Sequence, residues 1–119
     1  MNVSELIEKI KQRPDYPNVG MILCHNGVVR GTSRDGRKVS GLKVAVDHDK
    51  LEQVIHRHKQ RDGIIEILVE IAENKPLAVG EDVMVLVVAG DIRDNVISAL
   101  NDTLNEIKTT VTAKEEFFA

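Results

Sequence analysis

Residues 82–108 read DVMVLVVAGDIRDNVISALNDTLNEIK. The first nine run almost without a polar break, which describes a strand buried on both faces. After Gly90 the periodicity becomes helical: Val96, Leu100, Leu104 and Ile107 fall on one face, and Asp91 is the expected cap. A strand with no solvent face needs neighbours at both edges and cover on both sides. The rest of the chain has to supply them, so this stretch decides the fold.

Upstream, GIIEILVEIA (63–72) predicts a strand with Glu66 and Glu70 pointing outward, and ENKPLAVGED (73–82) predicts a loop. Leu51, Val54, Ile55 and His58 predict a helix over 48–61, stopped by Gly63. VGMILCHNGVVR (19–30) is rich in strand formers, with Gly27 marking a bulge or bend. VSGLKVAVD (39–47) is a strand with Leu42, Val44 and Val46 on one side and Lys43 and Asp47 on the other. Between them GTSRDGRK (31–38) has turn chemistry, so residues 19–47 are expected to form a β-hairpin. Val3, Leu6, Ile7 and Ile10 predict a helix over 4–12, capped by Ser4 and ended by Pro14 and Pro17. Beyond the long helix, TTVT (109–112) is β-prone and AKEEFFA (113–119) closes the chain. The order α-β-β-α-β-β-α-β predicts a single α+β domain over 1–119 with a mixed or antiparallel sheet.

Composition narrows the function classes. One Tyr, two Phe and no Trp leave Val, Ile and Leu to build the core. A single cysteine, Cys24, rules out an intrachain disulfide and fits a reducing compartment. No apolar run reaches the ~18 residues of a membrane span, and MNVSELIEKIKQR lacks a signal peptide's apolar block. A cytoplasmic protein without membrane contact is expected. A net charge of −3 with few aromatics argues against broad nucleic-acid binding.

Positive charge is nevertheless concentrated in NGVVRGTSRDGRKVSGL (26–42), where Arg30, Arg34, Arg37 and Lys38 face one acid, Asp35. Arg30 ends a strand beside a glycine turn, a place suited to gripping an anion. On residue type alone the favoured reading is a solvated loop that keeps a sheet edge soluble. Arg93 sits in the first turn of a helix, where free N–H groups and the dipole favour an anion, with Asp91 and Asp94 opposing. Lys108 lies in the last helical turn, where the dipole favours a cation in any case, and Lys114 opens the tail. Metal chemistry has no foothold: His56 and His58 are two apart on a helix, Cys24 and His25 point to opposite faces, and no C-x-x-C or H-E-x-x-H is present. Cys24 reads as a small core residue. The glycine spacings match neither a P-loop nor a dinucleotide fingerprint.

In combination these pieces resemble the large subunit of molybdopterin synthase, the MoaE family. GMILCHNGVVRGTSRDGRKVSGLKV is similar to that family's G-x-V-R segment and the polar loop after it. ENKPLAVGEDVMVLVVAG is similar to its strand–loop–strand. GDIRDNVISALNDTLNEIK is similar to its helix opening with His-Arg and ending with Lys, and the 15-residue interval from Arg93 to Lys108 fits without a gap. VTAKEE is similar to its terminal W-K-x-E. The resemblance spans roughly residues 19–116. Ile92 stands where the family has His, Ala113 where it has Trp, and VDHDKL (46–51) replaces its His-Tyr-Pro-Gly.

The resemblance implies a MoaE-like α/β hammerhead with about three helices. It implies sulfur transfer from the thiocarboxylated C-terminus of a small ubiquitin-like subunit of the MoaD type to cyclic pyranopterin monophosphate, giving the molybdopterin dithiolene. Carried over by position, Arg30 and Arg93 would grip phosphate, with Val28, Val29, Glu115 and Glu116 also lining the substrate site. Lys108 and Lys114 would be catalytic, acting on the reacting carbon or the leaving oxygen. No metal or cofactor is implied. A homodimer within a heterotetramer is implied, with room for pockets built across the dimer interface. Arg34, Arg37 and Lys38 match no family motif and read as solvated rim. Ile92 and Ala113 motivate a second reading, a non-catalytic paralogue binding a ubiquitin-like partner or a phosphorylated ligand. A third, an unrelated small α+β regulatory domain, predicts no basic pocket where Arg30, Arg93 and Lys108 converge.

Overall fold

A computed structural model describes all residues, 1–119. The long apolar run forms β5 (Asp82–Gly90), and Val85 through Ala89 are fully buried. β5 is the centre of a three-stranded antiparallel sheet, with β1 (Met21–Val28) on one edge and β3 (Ile64–Ile71) on the other. Side-chain alternation gives β5 two cores. Val85, Val87 and Ala89 pack on Leu6 and Ile10 of helix α1 (Val3–Lys11). Leu86 and Val88 pack on Val96 and Ala99 of helix α3 (Arg93–Glu106), together with Ile67. Helix α2 (His48–Lys59) lies beside α3 and adds Val54 to a cluster with Met84, Ile107 and Val111.

A second antiparallel sheet has β2 (Val39–Val46) at its centre, between a two-residue strand β4 (Leu77–Ala78) and β6 (Thr112–Phe118). Its core of Val29, Leu42, Val44 and Leu77 is contiguous with Ile71 and Val83 at the end of the first sheet. The two sheets are therefore separate ladders, and every pairing is antiparallel.

The hairpin expected over 19–47 does not form. β1 pairs along its whole length with β5, and β2 pairs with β6 and β4 in the other sheet. Adjacency in sequence favours a hairpin, but a strand with no solvent face needs both edges filled. Only the tip survives, as a single Thr32–Lys38 bridge. The register slips between Gly27 and Val28, and this bulge turns the chain out of the first sheet.

Several boundaries also shift. Asn2, not Ser4, caps α1, its side chain accepting from Ser4 N and Glu5 N. Ile92 occupies the cap position of α3; Asp91 stands one residue outside it, accepting from Ile92 N and the Asn95 side chain. Glu66 is not outward: Arg13 (2.6 Å) and Lys59 (2.9 Å) close on its carboxylate, and Glu70 is half-buried. At Gly90 the chain passes between two elements, and a Cβ there would stand 2.6 Å from the Gly63 carbonyl oxygen and 2.8 Å from Val96 Cγ2. Only glycine fits that crossing.

Helices α2 and α3 are also joined by charge. Glu106 accepts from Arg57 and His58, and Arg61 bonds both Asp102 and Ser98 at 2.8 Å. No helix is long and apolar enough to cross a membrane.

Two outcomes follow. Leu86→Ala, at the centre of the core facing α3, destabilises the fold by about 2–5 kcal/mol in urea unfolding, whereas exposed Lys75→Ala changes it by less than about 0.5 kcal/mol. Similar losses for the two would contradict the assignment of β5 as the central strand. Arg57 and then His58 hold the Glu106 carboxyl below its ordinary 4.5, and Arg61 holds Asp102 below 3.8. A lowered folded-state pKa gives stability that is complete above the ordinary value and is lost as pH falls through the folded one. Glu106→Gln therefore lowers the melting temperature near pH 7, and the gap from wild type narrows as the pH falls from about 5 to about 3. A gap that widens on acidification contradicts the ion-pair assignment.

Candidate functional site

A pocket of about 470 Å³ opens where the two sheets meet, a volume in the range of small-molecule sites. The end of β1 supplies His25, Gly27 and Val28. The bulge separates two neighbouring valines. Val28 is exposed and lines the pocket, while Val29 is buried in the second sheet's core.

The chain then makes a tight basic turn. Ser33 N donates to the Arg37 carbonyl at 2.9 Å, and Gly36 N to the Ser33 carbonyl at 3.0 Å. Gly36 takes φ +86°, which a three-residue hairpin tip requires and glycine adopts freely. The Ser33 hydroxyl bonds Asp35 and accepts from Arg37 N, which ties the turn from within. Arg30, Thr32 and Arg34 line the pocket. The Arg30 Nε donates to the Thr32 carbonyl at 2.8 Å, which sets the plane of the guanidinium and leaves its terminal nitrogens without a partner in the chain. Arg37 turns the other way and lies 3.7 Å from the centre of the Phe118 ring, a cation–π contact. Lys38 lies outside the pocket lining. The loop cations are thus not a uniform rim, because Arg34 belongs to the pocket.

The opposite wall comes from the end of α3. In place of the expected β segment, Ile107–Val111 form a single π turn and only Thr112 begins β6. The hydroxyls of Thr109 and Thr110 donate to the Asn105 and Glu106 carbonyls at 3.0 and 2.7 Å, which satisfies the widened turn. The turn buries Ile107 and Val111 and leaves Lys108 on the pocket wall. Such turns recur at functional sites. Along β6, Glu116 pairs with Leu42 and Lys114 with Val44, which puts both on the pocket side of the second sheet. Glu115 pairs with Lys43 and alternation carries it to the outer face.

The chain therefore brings together Val28, Arg30, Lys108, Lys114 and Glu116. It leaves out Val29, Glu115 and Arg93. Arg93 is exposed at the start of a 14-residue helix that Lys108 follows, a separation of roughly 20 Å at 1.5 Å per residue.

Arg30, Arg34, Lys108 and Lys114 share the pocket with one carboxylate, Glu116, and none of the chain's ion pairs includes any of the four. Burial and then the Lys108 charge push the His25 imidazole below its ordinary 6.5, so it is neutral at pH 7. An array of unpaired cations around one pocket can hold a phosphate or a carboxylate and stabilise charge developing between two anions. Sequence reasoning missed His25, Arg34 and Thr32. The available signal for His25 was its place two residues before Gly27 on the same strand face.

Inorganic pyrophosphate should bind this pocket weakly, with an affinity that falls as salt rises. By isothermal titration Arg30→Ala weakens it about tenfold or more, and Lys9→Ala on α1 leaves it unchanged. Equal affinities for the two variants would place the anion elsewhere.

A family model described as "MoaE protein" matches residues 1–110. Among solved structures, a molybdopterin synthase from Staphylococcus aureus superimposes with a TM-score of 0.80 at 19% identity, covering 100% of this chain and 86% of that one. A MoaE protein of molybdopterin biosynthesis from Burkholderia ambifaria superimposes with a TM-score of 0.77 at 14% identity, over 100% and 84%. A complex of subunits 1 and 2 of molybdopterin-converting factor from Helicobacter pylori gives 0.71 at 17% identity, over 100% and 84%. No curated protein sequence matches the chain significantly. The structural likenesses carry the fold, the family model covers most of the sequence, and the chain belongs to the MoaE family.

Proposed function

We propose that this chain acts in molybdenum cofactor biosynthesis as the large subunit of a molybdopterin synthase. It transfers sulfur from the thiocarboxylated C-terminus of a small ubiquitin-like subunit to cyclic pyranopterin monophosphate. The observation that carries the reading is the convergence of unpaired Arg30, Lys108 and Lys114 on one pocket. Both reactants are anions, and bringing them within bonding distance costs Coulomb energy that fixed cations offset. Arg30, with Nε already engaged, presents its terminal nitrogens as a fork for phosphate oxygens. Lys108 and Lys114, on facing elements, act on the reacting carbon and the leaving oxygen.

Arg93 enters this scheme through a second copy of the chain. It cannot reach Lys108 along its own helix, so its phosphate role requires a homodimer in which one protomer's α3 start closes the other's pocket. Ile92 and Ile97, 56% and 46% exposed beside Arg93, give that end an apolar surface suited to such a contact. The complex of two subunits in the H. pylori structure supports a small-subunit partner, and two such partners on a dimer make a heterotetramer.

A second reading rests on Ile92, which has no proton to give at the position where the family carries His. It makes the chain a binder of the same partner and ligand without turnover. Reconstitution separates the two. Wild-type chain mixed with thiocarboxylated carrier and cyclic precursor yields dithiolene, and Lys108→Ala lowers turnover by about 10²-fold or more while the fold is kept. A wild-type chain that binds both partners and makes no dithiolene contradicts the catalytic reading and leaves the binder.

A further inference from the structure

Among its cations the pocket holds one imidazole. Alternation along β1 puts Cys24 in the core under α1 and His25 on the other face, the one shared with Met84 and Leu86 and covered by α3 and the π turn. Gly27 faces the same way two residues on. The His25 Nε2 lies 3.2 Å from where a Cβ on Gly27 would stand, so the ring lies along the strand over a position with no side chain. It is half-buried and lines the pocket. His48 and His58 each meet a carboxylate, whereas His25 has no hydrogen-bond partner in the chain. The charged groups that share its pocket are Lys108 from the π turn, Lys114 and Glu116 from β6, and Arg30 and Arg34 from the loop. β2 and β5 contribute only Leu42, Val83 and Met84. A neutral, unpartnered imidazole facing a cationic pocket is equipped to take a proton as an anion forms beside it.

We propose, resting on the sulfur-transfer reading above, that His25 is the general base that frees the sulfur carrier. Once the carrier's sulfur bonds to a substrate carbon, the carrier is left joined through a thioester. Release needs water. The water oxygen bonds to the thioester carbonyl carbon while His25 Nε2 takes one of the water's protons. The carbonyl C–S bond breaks and its electron pair stays on sulfur. The carrier leaves as a carboxylic acid that ionises to solvent, and the substrate keeps a thiolate. The imidazolium then returns its proton to the thiolate or to solvent. No electron is gained or lost, and the nearby cations stabilise both new anions.

The test uses the full chain, thiocarboxylated carrier and cyclic precursor in single-turnover mixtures, followed by intact-mass spectrometry. In His25→Phe, and in His25→Gln, which keeps size and polarity, a covalent carrier–substrate adduct forms at close to the wild-type rate. Its release then slows by about 10²-fold or more, so the adduct accumulates. The release rate of wild type falls on acidification with a midpoint below the ordinary imidazole value of 6.5, because burial and Lys108 lower the His25 pKa, and the variants lose that limb. The melting temperature stays at the wild-type value. Equal release by wild type and both variants overturns the role of His25 and leaves the function standing. Slowing of both steps without an adduct also overturns it, marking His25 as structural. A wild-type chain that makes no dithiolene overturns this role together with the reading on which it rests.

Discussion

β5 has no solvent face, and the rest of the molecule is arranged around that fact. A fully apolar central strand fills both its edges and covers both its surfaces. β1 and β3 take the edges, α1 takes one surface, and α3 takes the other. Because β1 is drawn to β5, β2 is released to organise a second sheet with β6. The pocket lies at the junction this creates. Its walls are the place where β1 leaves the first sheet and the place where α3 hands the chain to β6.

Charge is distributed with equal economy. The chain is net negative, yet Glu66, Asp102 and Glu106 are engaged with cations away from the pocket and Glu73 with His48. Four pocket cations stay unpaired beside one carboxylate. Like charges held together repel, and an anion bound from outside offsets that repulsion. A local arrangement that works against folding is best understood through what it binds.

Much of the fold was legible where periodicity is strong. The helical faces of α1, α2 and α3 and the buried character of β5 follow from the spacing of Val, Ile and Leu. Pairing between distant strands was not legible, because nothing in residues 19–30 says that their partner lies sixty residues on. The hairpin reading of 19–47 failed for that reason, although the local turn chemistry of Ser33–Arg37 was sound. The π turn has no sequence signature, since it differs from a helix end by a single inserted residue. The cap of α1 lies two residues outside the expected Ser4 and that of α3 one residue inside the expected Asp91, both within the usual uncertainty of helix ends.

The candidate site was legible only through the order of motifs, because Arg30, Lys108 and Lys114 taken singly look like surface residues. The separation of Arg93 was available from helix rise alone. The inward turn of His25 depends on a glycine two residues away and on a strand partner far along the chain. The most direct test of sulfur transfer is an isotope experiment. Carrier bearing heavy sulfur in its thiocarboxylate is incubated with the chain and cyclic precursor, and the products are weighed by mass spectrometry. The expected result is heavy sulfur on the phosphate-bearing pterin, with the carrier converted to its carboxylate. Heavy sulfur that stays on the carrier, or appears only as free sulfide, would contradict the account.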